Sequence, residues 1–254
     1  MIGIVIAAGY GTRLKPYTES MPKSLVELEH GVAVIDYIIK LMAENGIGEV
    51  YVATRGEFKE MFASRVASNR VVVVDVALND GNLWTLYQAI EKLREMGVED
   101  DVIVSMSDHV YEAGILRSLI KVASREGDRV LLCLDRSVRG EEAIEGLKVI
   151  VDGSAVVLTG KDLPPLTGIN TGLFYIPRTL FKEIRRVVEM YGRRASLSNF
   201  VNALAEKKLV GFVDVTGLRW VDIDSIEDLA KARKVYWEIV RRNLVKDSDG
   251  VVWR

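Results

Sequence analysis

The sequence predicts an α/β fold with a doubly wound, mostly parallel sheet and a smaller β subregion in its second half. Three observations predict it. Short apolar runs alternate with stretches of helical period over residues 1–140, a glycine-rich loop follows the first apolar run, and hairpin-like runs replace the alternation beyond about residue 145. Because parallel strands need helical crossovers between them, the alternation implies a mostly parallel sheet with right-handed connections.

The first half contains the alternating elements. Strands are predicted at residues 2–7, 50–54, 71–75, 102–106 and 130–134. Helical patterns lie near 34–45, 57–67, 84–96 and 112–125. In the third of these, apolar residues recur at spacings of three and four, and we expect Asn82 to act as its N-cap.

The second half begins with two strands, 147–151 and 155–159, joined by an Asp152-Gly153 turn. A strand at 171–176, helices at 178–190 and 197–207, strands at 209–213 and 219–221 and a long helix from 225 to about 243 follow. No repeat or linker interrupts this order. We therefore expect one domain over 1–246, with halves of about 1–140 and 141–246, and a tail at 247–254.

Composition excludes several classes of protein. The chain has 254 residues, 49% of them hydrophobic, which is enough for a substantial core. A net charge of -2 provides no basic surface for nucleic acid. No apolar run approaches the ~18 residues that span a bilayer, and Cys133, the single cysteine, lies in an apolar strand, so we expect a cytoplasmic protein in a reducing compartment. A single glutamine, a single cysteine and 28% charged residues are typical of a thermophile.

The loop after the first strand has the residues of a phosphate site. Gly9 and Gly11 allow backbone N–H groups to approach a phosphate, and Arg13 and Lys23 add two cations. It is not a dinucleotide fingerprint, because Leu14 stands where the third glycine would be. It is not a Walker loop either, because a proline precedes Lys23. The loop is suited to a nucleoside triphosphate.

Two acidic clusters lie near predicted strand ends, where ligands of such sheets bind. Asp108 follows the strand 102–106, and Asp222 and Asp224 follow the strand 219–221 and share one side of an extended chain. Carboxylates in this position suit Mg²⁺. The alternative is that Asp108 is a turn residue and that Asp224 or Ser225 only caps the next helix. His109 is more typical of a packing residue than of an acid or base.

The motifs carry a family resemblance. Residues 7–14 read A-A-G-Y-G-T-R-L and residues 22–25 read P-K-S-L, which resembles the signature of nucleotidyltransferases that activate phosphorylated sugars and polyols. With S-D-H-V-Y at 107–111, G-K-D-L at 160–163, N-T-G-L-F at 170–174 and W-V-D-I-D-S at 220–225, the chain is similar to CTP:inositol-1-phosphate cytidylyltransferases from residue 1 to about 246. The loop 15–21 and the pair Leu83-Trp84 depart from the family pattern.

The resemblance implies a reaction of CTP with inositol 1-phosphate that depends on Mg²⁺ and releases pyrophosphate. It implies the catalytic residues Arg13, Lys23 and Asp108 and the metal ligands Asp108, Asp222 and Asp224. It implies nucleotide contacts at Ala7, Ala8, Gly9, Gly11, Thr12, Arg13, Asn79, Gly81, Asn82 and Thr85. It implies acceptor contacts at Glu145, Lys148, Lys161, Thr171 and Gly172.

Other functions stay open at this point. The acceptor could be a sugar 1-phosphate or phosphocholine, with CTP, UTP or dTTP as donor, and a regulatory module that only binds nucleotide is a further alternative. By the resemblance, the chain could be coupled or fused to a membrane CDP-alcohol phosphotransferase, with the tail at 247–254 as the start of a linker. No nucleic-acid partner is expected.

Overall fold

The computed structural model describes residues 1–137, 146–164 and 168–247. In these ranges the first half contains strands β1 (Ile2–Ile6), β2 (Glu27–Glu29), β3 (Val32–Ala33), β4 (Val50–Arg55), β5 (Val71–Val74), β6 (Val102–Met106), β7 (His109–Tyr111) and β8 (Val130–Asp135). Its helices are α1 (Val34–Glu44), α2 (Lys59–Ala63), α3 (Asn82–Glu95) and α4 (Ala113–Ala123). The predicted alternation of strands and helices is confirmed.

The second half contains strands β9 (Lys148–Asp152), β10 (Ala155–Gly160), β11 (Ile169–Ile176), β12 (Val210–Asp214) and β13 (Trp220–Asp222). Its helices are α5 (Phe181–Tyr191), α6 (Leu197–Ala205) and α7 (Ile226–Asp247). None of the helices in the described ranges is both long and apolar enough to cross a lipid bilayer.

The described strands form a large mixed sheet in the order β5-β4-β1-β6-β11-β8-β12-β10-β9. The pairs β5–β4, β4–β1, β1–β6 and β8–β12 are parallel, as expected for crossover connections. Strand β11 runs antiparallel between β6 and β8 and so joins the parallel strands β5, β4, β1 and β6 to the parallel pair β8 and β12 in one sheet. The α/β class is confirmed, and the antiparallel strand at the centre makes the sheet more mixed than the alternation alone predicts.

Helices cover both faces of this sheet. Because successive strand residues point to opposite faces, Val5 contributes to a core with α1, α4 and α7, whereas Ile4 contributes to a core with α3, α5 and α6. Both side chains are 0% exposed. With apolar side chains on both faces, the carboxyl ends of the parallel strands remain as the edge where polar residues can meet a ligand.

Helix α3 begins differently from the prediction. Asn82 is its first residue and Gly81 is its N-cap, with no side-chain capping hydrogen bond. The carbonyl oxygen of the Asn82 side chain instead accepts a hydrogen bond of 2.8 Å from the backbone N–H of Leu197, at the start of α6. The prediction that Asn82 caps its own helix was wrong, because a long-range donor takes the oxygen that a local cap would use.

Candidate active site

A short antiparallel ribbon builds the centre of the site. Strand β7 follows β6 after a turn at Ser107 and Asp108, and β13 pairs with it so that Asp222 lies opposite His109. The ribbon borders a cavity of about 860 Å³. The cavity is lined from both halves of the chain, by Arg13, Lys23 and Asn82 from the first half and by Lys161, Asn170 and Gly172 from the second.

Lys23 is the cation at the centre of the acidic residues. It opens a 3₁₀ turn after Pro22, and its side chain is only 15% exposed. Its ammonium pairs with Asp108 and lies 3.0 Å from Oδ1 of Asp224. Burial by itself would lower the pKa of Lys23, but the surrounding carboxylates outweigh burial and raise this pKa above its ordinary value. The ammonium is therefore charged at neutral pH.

Asp108 and His109 form a buried pair beside Lys23. Nδ1 of His109 lies 2.6 Å from Oδ1 of Asp108. Burial would raise the pKa of Asp108, yet Lys23 and His109 hold it well below its usual range. Burial would likewise lower the pKa of His109, but the carboxylates of Asp222 and Asp108 raise it. Each of the two residues therefore stabilises the charged form of the other.

Asp222 completes a group of donors that could hold a cation. Ligand atoms of Asp108, His109 and Asp222 all lie within 4.8 Å of one another. Burial, together with the carboxylate of Asp108, raises the pKa of Asp222 to about 6, against the effect of His109. Among the described residues, Oδ1 of Asp222 is buried without a hydrogen-bond partner. A buried carboxylate oxygen that lacks a hydrogen bond and lies next to a second carboxylate is the environment that a divalent cation stabilises.

Asp224 has different contacts from its neighbour Asp222. Its Oδ2 lies 2.9 Å from a guanidinium nitrogen of Arg13, and its Oδ1 contacts Lys23. The next residue, Ser225, caps α7, because its hydroxyl accepts a hydrogen bond of 3.1 Å from the N–H of Asp228. The alternative that Asp224 or Ser225 caps the helix is thus confirmed for Ser225, which leaves Asp224 in the site.

The imidazole of His109 is held on a second side by an aromatic ring. Its ring is parallel to that of Trp220, at an angle of 6° and a centroid separation of 6.0 Å. Trp220 is itself fixed by a hydrogen bond of 2.8 Å from its Nε1 to Asp135 at the end of β8. Gly172 has a φ of +76°, and a Cβ there would lie 2.6 Å from Nε2 of His109. Gly172 therefore makes room for the imidazole.

Of the ten predicted nucleotide residues, two line the cavity. Arg13 and Asn82 line the cavity, and Gly11 adopts a φ of +67° at the turn of the first loop. Ala7, Ala8 and Thr85 are buried, Gly9, Thr12 and Asn79 are exposed, and none of these lines the cavity. Gly81 is packed against the segment between α5 and α6, where a Cβ would lie 1.9 Å from the carbonyl oxygen of Ala195.

Of the predicted acceptor residues, only some lie at the cavity. Lys161 and Gly172 line the cavity. Thr171 is fully buried beside Cys133, and the ammonium of the buried Lys148 donates to the carbonyl of Lys161, so Lys148 supports the cavity wall from behind. Glu145 lies outside the described residues.

Sequence reasoning missed several residues of the site. Asn170 lines the cavity and accepts a hydrogen bond of 2.9 Å from the N–H of Gly172. Ser196 and Ser198, at the start of α6, also line the cavity. Their only sequence signal is their place at a helix start, which gives no hint of a cavity.

The chain is similar in sequence to curated proteins. The chain is 28% identical to the bifunctional IPC transferase and DIPP synthase of Thermococcus kodakarensis over 254 residues, which cover 99% of this chain and 53% of that protein. It is 35% identical to the choline-phosphate cytidylyltransferase of Streptococcus pneumoniae over 102 residues, 39% of this chain and 44% of that protein. The chain thus spans about half the length of the bifunctional relative.

Structural comparison gives the same fold. The solved inositol-1-phosphate CTP transferase from T. maritima superposes with a TM-score of 0.77 and 20% identity, covering 93% of this chain and 95% of that chain. The sequence model of the nucleotidyl transferase family matches residues 2–238, which include the first loop, Asp108 and both carboxylates of the 220–225 segment. This chain belongs to the nucleotidyl transferase family.

Proposed function

We propose that the protein transfers a cytidylyl group from CTP to inositol 1-phosphate, giving CDP-inositol and pyrophosphate. The observation that carries the proposal is the convergence of the Lys23 ammonium with the carboxylates of Asp108, Asp222 and Asp224 at one end of the cavity. Two anions must approach each other in this reaction, and the site supplies a fixed cation and a candidate cation-binding group where they would meet.

The chemistry needs positioning more than proton transfer. An oxygen of the acceptor phosphate attacks the α-phosphorus of CTP, a new P–O bond forms, and the bond from the α-phosphorus to the bridging oxygen breaks with its electron pair on pyrophosphate. A phosphate monoester carries a charge of about -1.5 to -2 near neutral pH, so it attacks without a strong general base. Catalysis then consists of alignment and charge neutralisation.

Two cations of the first loop have distinct roles in this proposal. The buried ammonium of Lys23 reduces the repulsion between the two phosphates as they approach. The side chain of Arg13 is 65% exposed at the edge of the cavity, and its guanidinium can leave Asp224 and bind the departing pyrophosphate as a fork. The N–H groups of the loop 8–12 would contact the triphosphate, while the backbone of Ala8 and the turn at Gly81 and Asn82 would hold the base.

The site also fits Mg²⁺. Asp108 and Asp222 are the carboxylates that would hold it, with Asp224 as a further carboxylate donor near by. His109 is the less suitable donor for Mg²⁺, which prefers oxygen, and its ring serves better to orient Asp108. When bound, Mg²⁺ supplies positive charge to the phosphate oxygens.

The acceptor would occupy the part of the cavity bounded by the second half of the chain. Lys161 and the amide of Asn170 provide polar groups for a phosphate and for ring hydroxyls, and Gly172 keeps the wall open. A choline head group would need an aromatic cage. The described part of the cavity wall has two aromatic side chains, Phe174 and Trp220, and the indole of Trp220 is stacked on His109. This composition favours a polyol over choline.

The relatives named IPC transferase and DIPP synthase combine two activities in one longer protein, of which this chain spans about half. We propose that CDP-inositol made here is consumed by a second, membrane-bound enzyme of the CDP-alcohol phosphotransferase class. A copurification of the two activities from the source cells, or their presence on one longer chain, would support this coupling.

Pyrophosphate release with Mg²⁺ tests the function. CTP, UTP, dTTP, ATP and GTP are each paired with inositol 1-phosphate, glucose 1-phosphate and phosphocholine, with and without EDTA. We expect turnover with CTP and inositol 1-phosphate, lost in Asp108→Ala and in EDTA, and retained in Lys40→Ala, whose side chain is 74% exposed on α1. Turnover confined to another pair would replace the substrate, and nucleotide binding without release under any pair would contradict an enzymatic function.

A further inference from the structure

Arg55 is a buried arginine at the carboxyl end of β4 and is not among the residues that line the cavity. Its residue exposure is 9%. Its Nε lies 2.5 Å from the carbonyl oxygen of Ala8, and its two terminal nitrogens lie 2.6 Å and 3.0 Å from the carbonyl oxygens of Val76 and Ala77. One guanidinium therefore joins the first loop to the segment that leads into α3.

The arrangement around Arg55 is tight. Its guanidinium carbon lies 4.2 Å from the ring centroid of Tyr10, which in turn contacts Phe58 edge-on at 5.7 Å. In the described part of the chain no carboxylate forms an ion pair with Arg55. The three carbonyls are thus its main partners, and each such hydrogen bond is strengthened by the charge of the donor.

The two joined segments are those that the proposed function assigns to the base of the nucleotide. Ala8 lies in the first loop, and Val76 and Ala77 precede Gly81 and Asn82 by only a few residues. The first segment follows the carboxyl end of β1, and the second follows the carboxyl end of β5. These two strands lie on either side of β4 and run parallel to it. A base held between two backbones is recognised only when their donors and acceptors stand at a set distance.

We propose that Arg55 is a positioning residue that sets the separation of the two backbone walls of the nucleotide site and thereby its selectivity among bases. The inference rests on the proposed function for the location of the base. It does not require Arg55 to contact the nucleotide, because the side chain acts through the carbonyls of Ala8, Val76 and Ala77.

A second arginine anchors segment 75–81 independently of Arg55, but it does not connect this segment to the first loop. Arg193 holds the same segment from the side of α5, with its guanidinium nitrogens 3.0 Å from Asp75 and 2.7 Å from Asp80. The backbone N–H of Gly81 also donates to the carbonyl of Arg193 at 2.8 Å. The segment 75–81 therefore keeps its own anchor without Arg55, and what Arg55 adds is its position relative to Ala8.

The test compares Arg55→Met, Arg55→Lys and wild type. Binding of CTP, UTP, dTTP, ATP and GTP in the presence of Mg²⁺ is measured by calorimetry, and KM values for nucleotide and acceptor are measured by pyrophosphate release. We expect Arg55→Met to weaken binding of the preferred nucleotide about tenfold or more, since charge-assisted hydrogen bonds are lost. In Arg55→Met the ratio of the affinity for the preferred nucleotide to the affinities for the other four nucleotides should decrease. The KM for the acceptor should stay unchanged.

Two comparisons keep the test decisive. Arg55→Lys retains the charge near Tyr10 but cannot bond all three carbonyls as the guanidinium does. Its nucleotide affinity and base selectivity should therefore lie between those of wild type and Arg55→Met. If Arg55→Met does not fold, the comparison of Arg55→Lys with wild type tests the proposal. Arg70→Met removes a similar arginine, stacked 4.8 Å from the ring of Tyr51 at the other end of β4, and should leave base selectivity unchanged.

The outcomes separate this inference from the proposed function. If wild type prefers another nucleotide, the proposed substrate falls, but a narrowed preference in Arg55→Met still supports the inference. Unchanged selectivity in a folded Arg55 variant, an equal rise in the KM for the acceptor, or no binding of any of the five nucleotides by wild type would each overturn it.

Discussion

The ammonium of Lys23 lies 3.0 Å from a carboxylate oxygen of Asp224, although 201 positions separate the two residues in the chain. The same ammonium pairs with Asp108 at the end of β6. A turn from the first loop, the tip of a central strand and the segment before α7 thus share one charge centre. Substitutions at this centre test the site most directly.

Replacing Lys23 by Met keeps most of the aliphatic stem and removes the charge. Asp108 and Asp224 then lose their shared counter-ion, and the phosphates lose a fixed cation. We expect turnover of CTP and inositol 1-phosphate to fall about 100-fold or more, as when a group that stabilises transition-state charge is removed. Pyrophosphate release measures it, with Lys40→Met as the control. Full turnover in a folded Lys23→Met protein would remove Lys23 from the proposed mechanism.

The ionisation of Asp222 makes the free energy of unfolding depend on pH, and a substitution at this residue isolates that contribution. Its pKa is raised to about 6 in the folded state. Between about pH 4 and 6 the folded protein therefore binds a proton at Asp222 that the unfolded chain has lost. The free energy of unfolding decreases as the pH rises through this range. Asp222→Asn cannot ionise, so its stability relative to wild type should increase over this window and stay level above it.

The expected gain is about 1 kcal/mol, discounted because 42% of the Asp222 side chain is exposed. Urea unfolding of both proteins at pH 4, 5, 6 and 7 in EDTA measures it. A relative stability that is flat or falls across this range would show that the carboxyl is not destabilised by ionising in the folded state.

Gly172→Ala tests the space that the glycine leaves for His109. The φ of +76° already disfavours alanine, and its Cβ would also meet the imidazole at 2.6 Å. We expect a loss of about 3 kcal/mol in the free energy of unfolding, of which 1–2 kcal/mol come from the backbone and the rest from the clash. Gly217→Ala has a similar φ of +86° in open space, so it should lose only the backbone part. Equal losses in the two variants would argue against the clash.

Gly81→Ala tests the packing of the segment before α3. The backbone φ of -75° is ordinary, so alanine is strained by the carbonyl oxygens of Ala195 at 1.9 Å and Arg194 at 2.8 Å rather than by its own conformation. Because the segment must move to accept the methyl group, we expect KM for CTP to rise and stability to fall by about 2 kcal/mol. Gly48→Ala, where a Cβ meets nothing within 4 Å, is the control for both measurements. An unchanged KM would mean that this segment does not hold the nucleotide.

The elements of the fold were largely predictable, because their signals are local. The apolar run at β1 and the three-and-four spacing of α3 are written in neighbouring residues, and both elements are where the sequence predicts them. The start of α3 was not predictable. The side chain of Asn82 binds Leu197, 115 positions away, and no local pattern reports a donor at that distance.

The sequence by itself determined the family signature and the class of the fold, and its candidate site residues Arg13, Lys23, Asp108 and Asp222 all lie on the cavity wall. Only the tertiary structure decided which atoms meet. Asp222 faces His109 because β13 pairs with β7 in one register, and Asp224 turns instead to Lys23 and Arg13. Residue types depend on the chain alone, whereas partners, burial and pKa shifts depend on pairings between distant segments that local sequence does not encode.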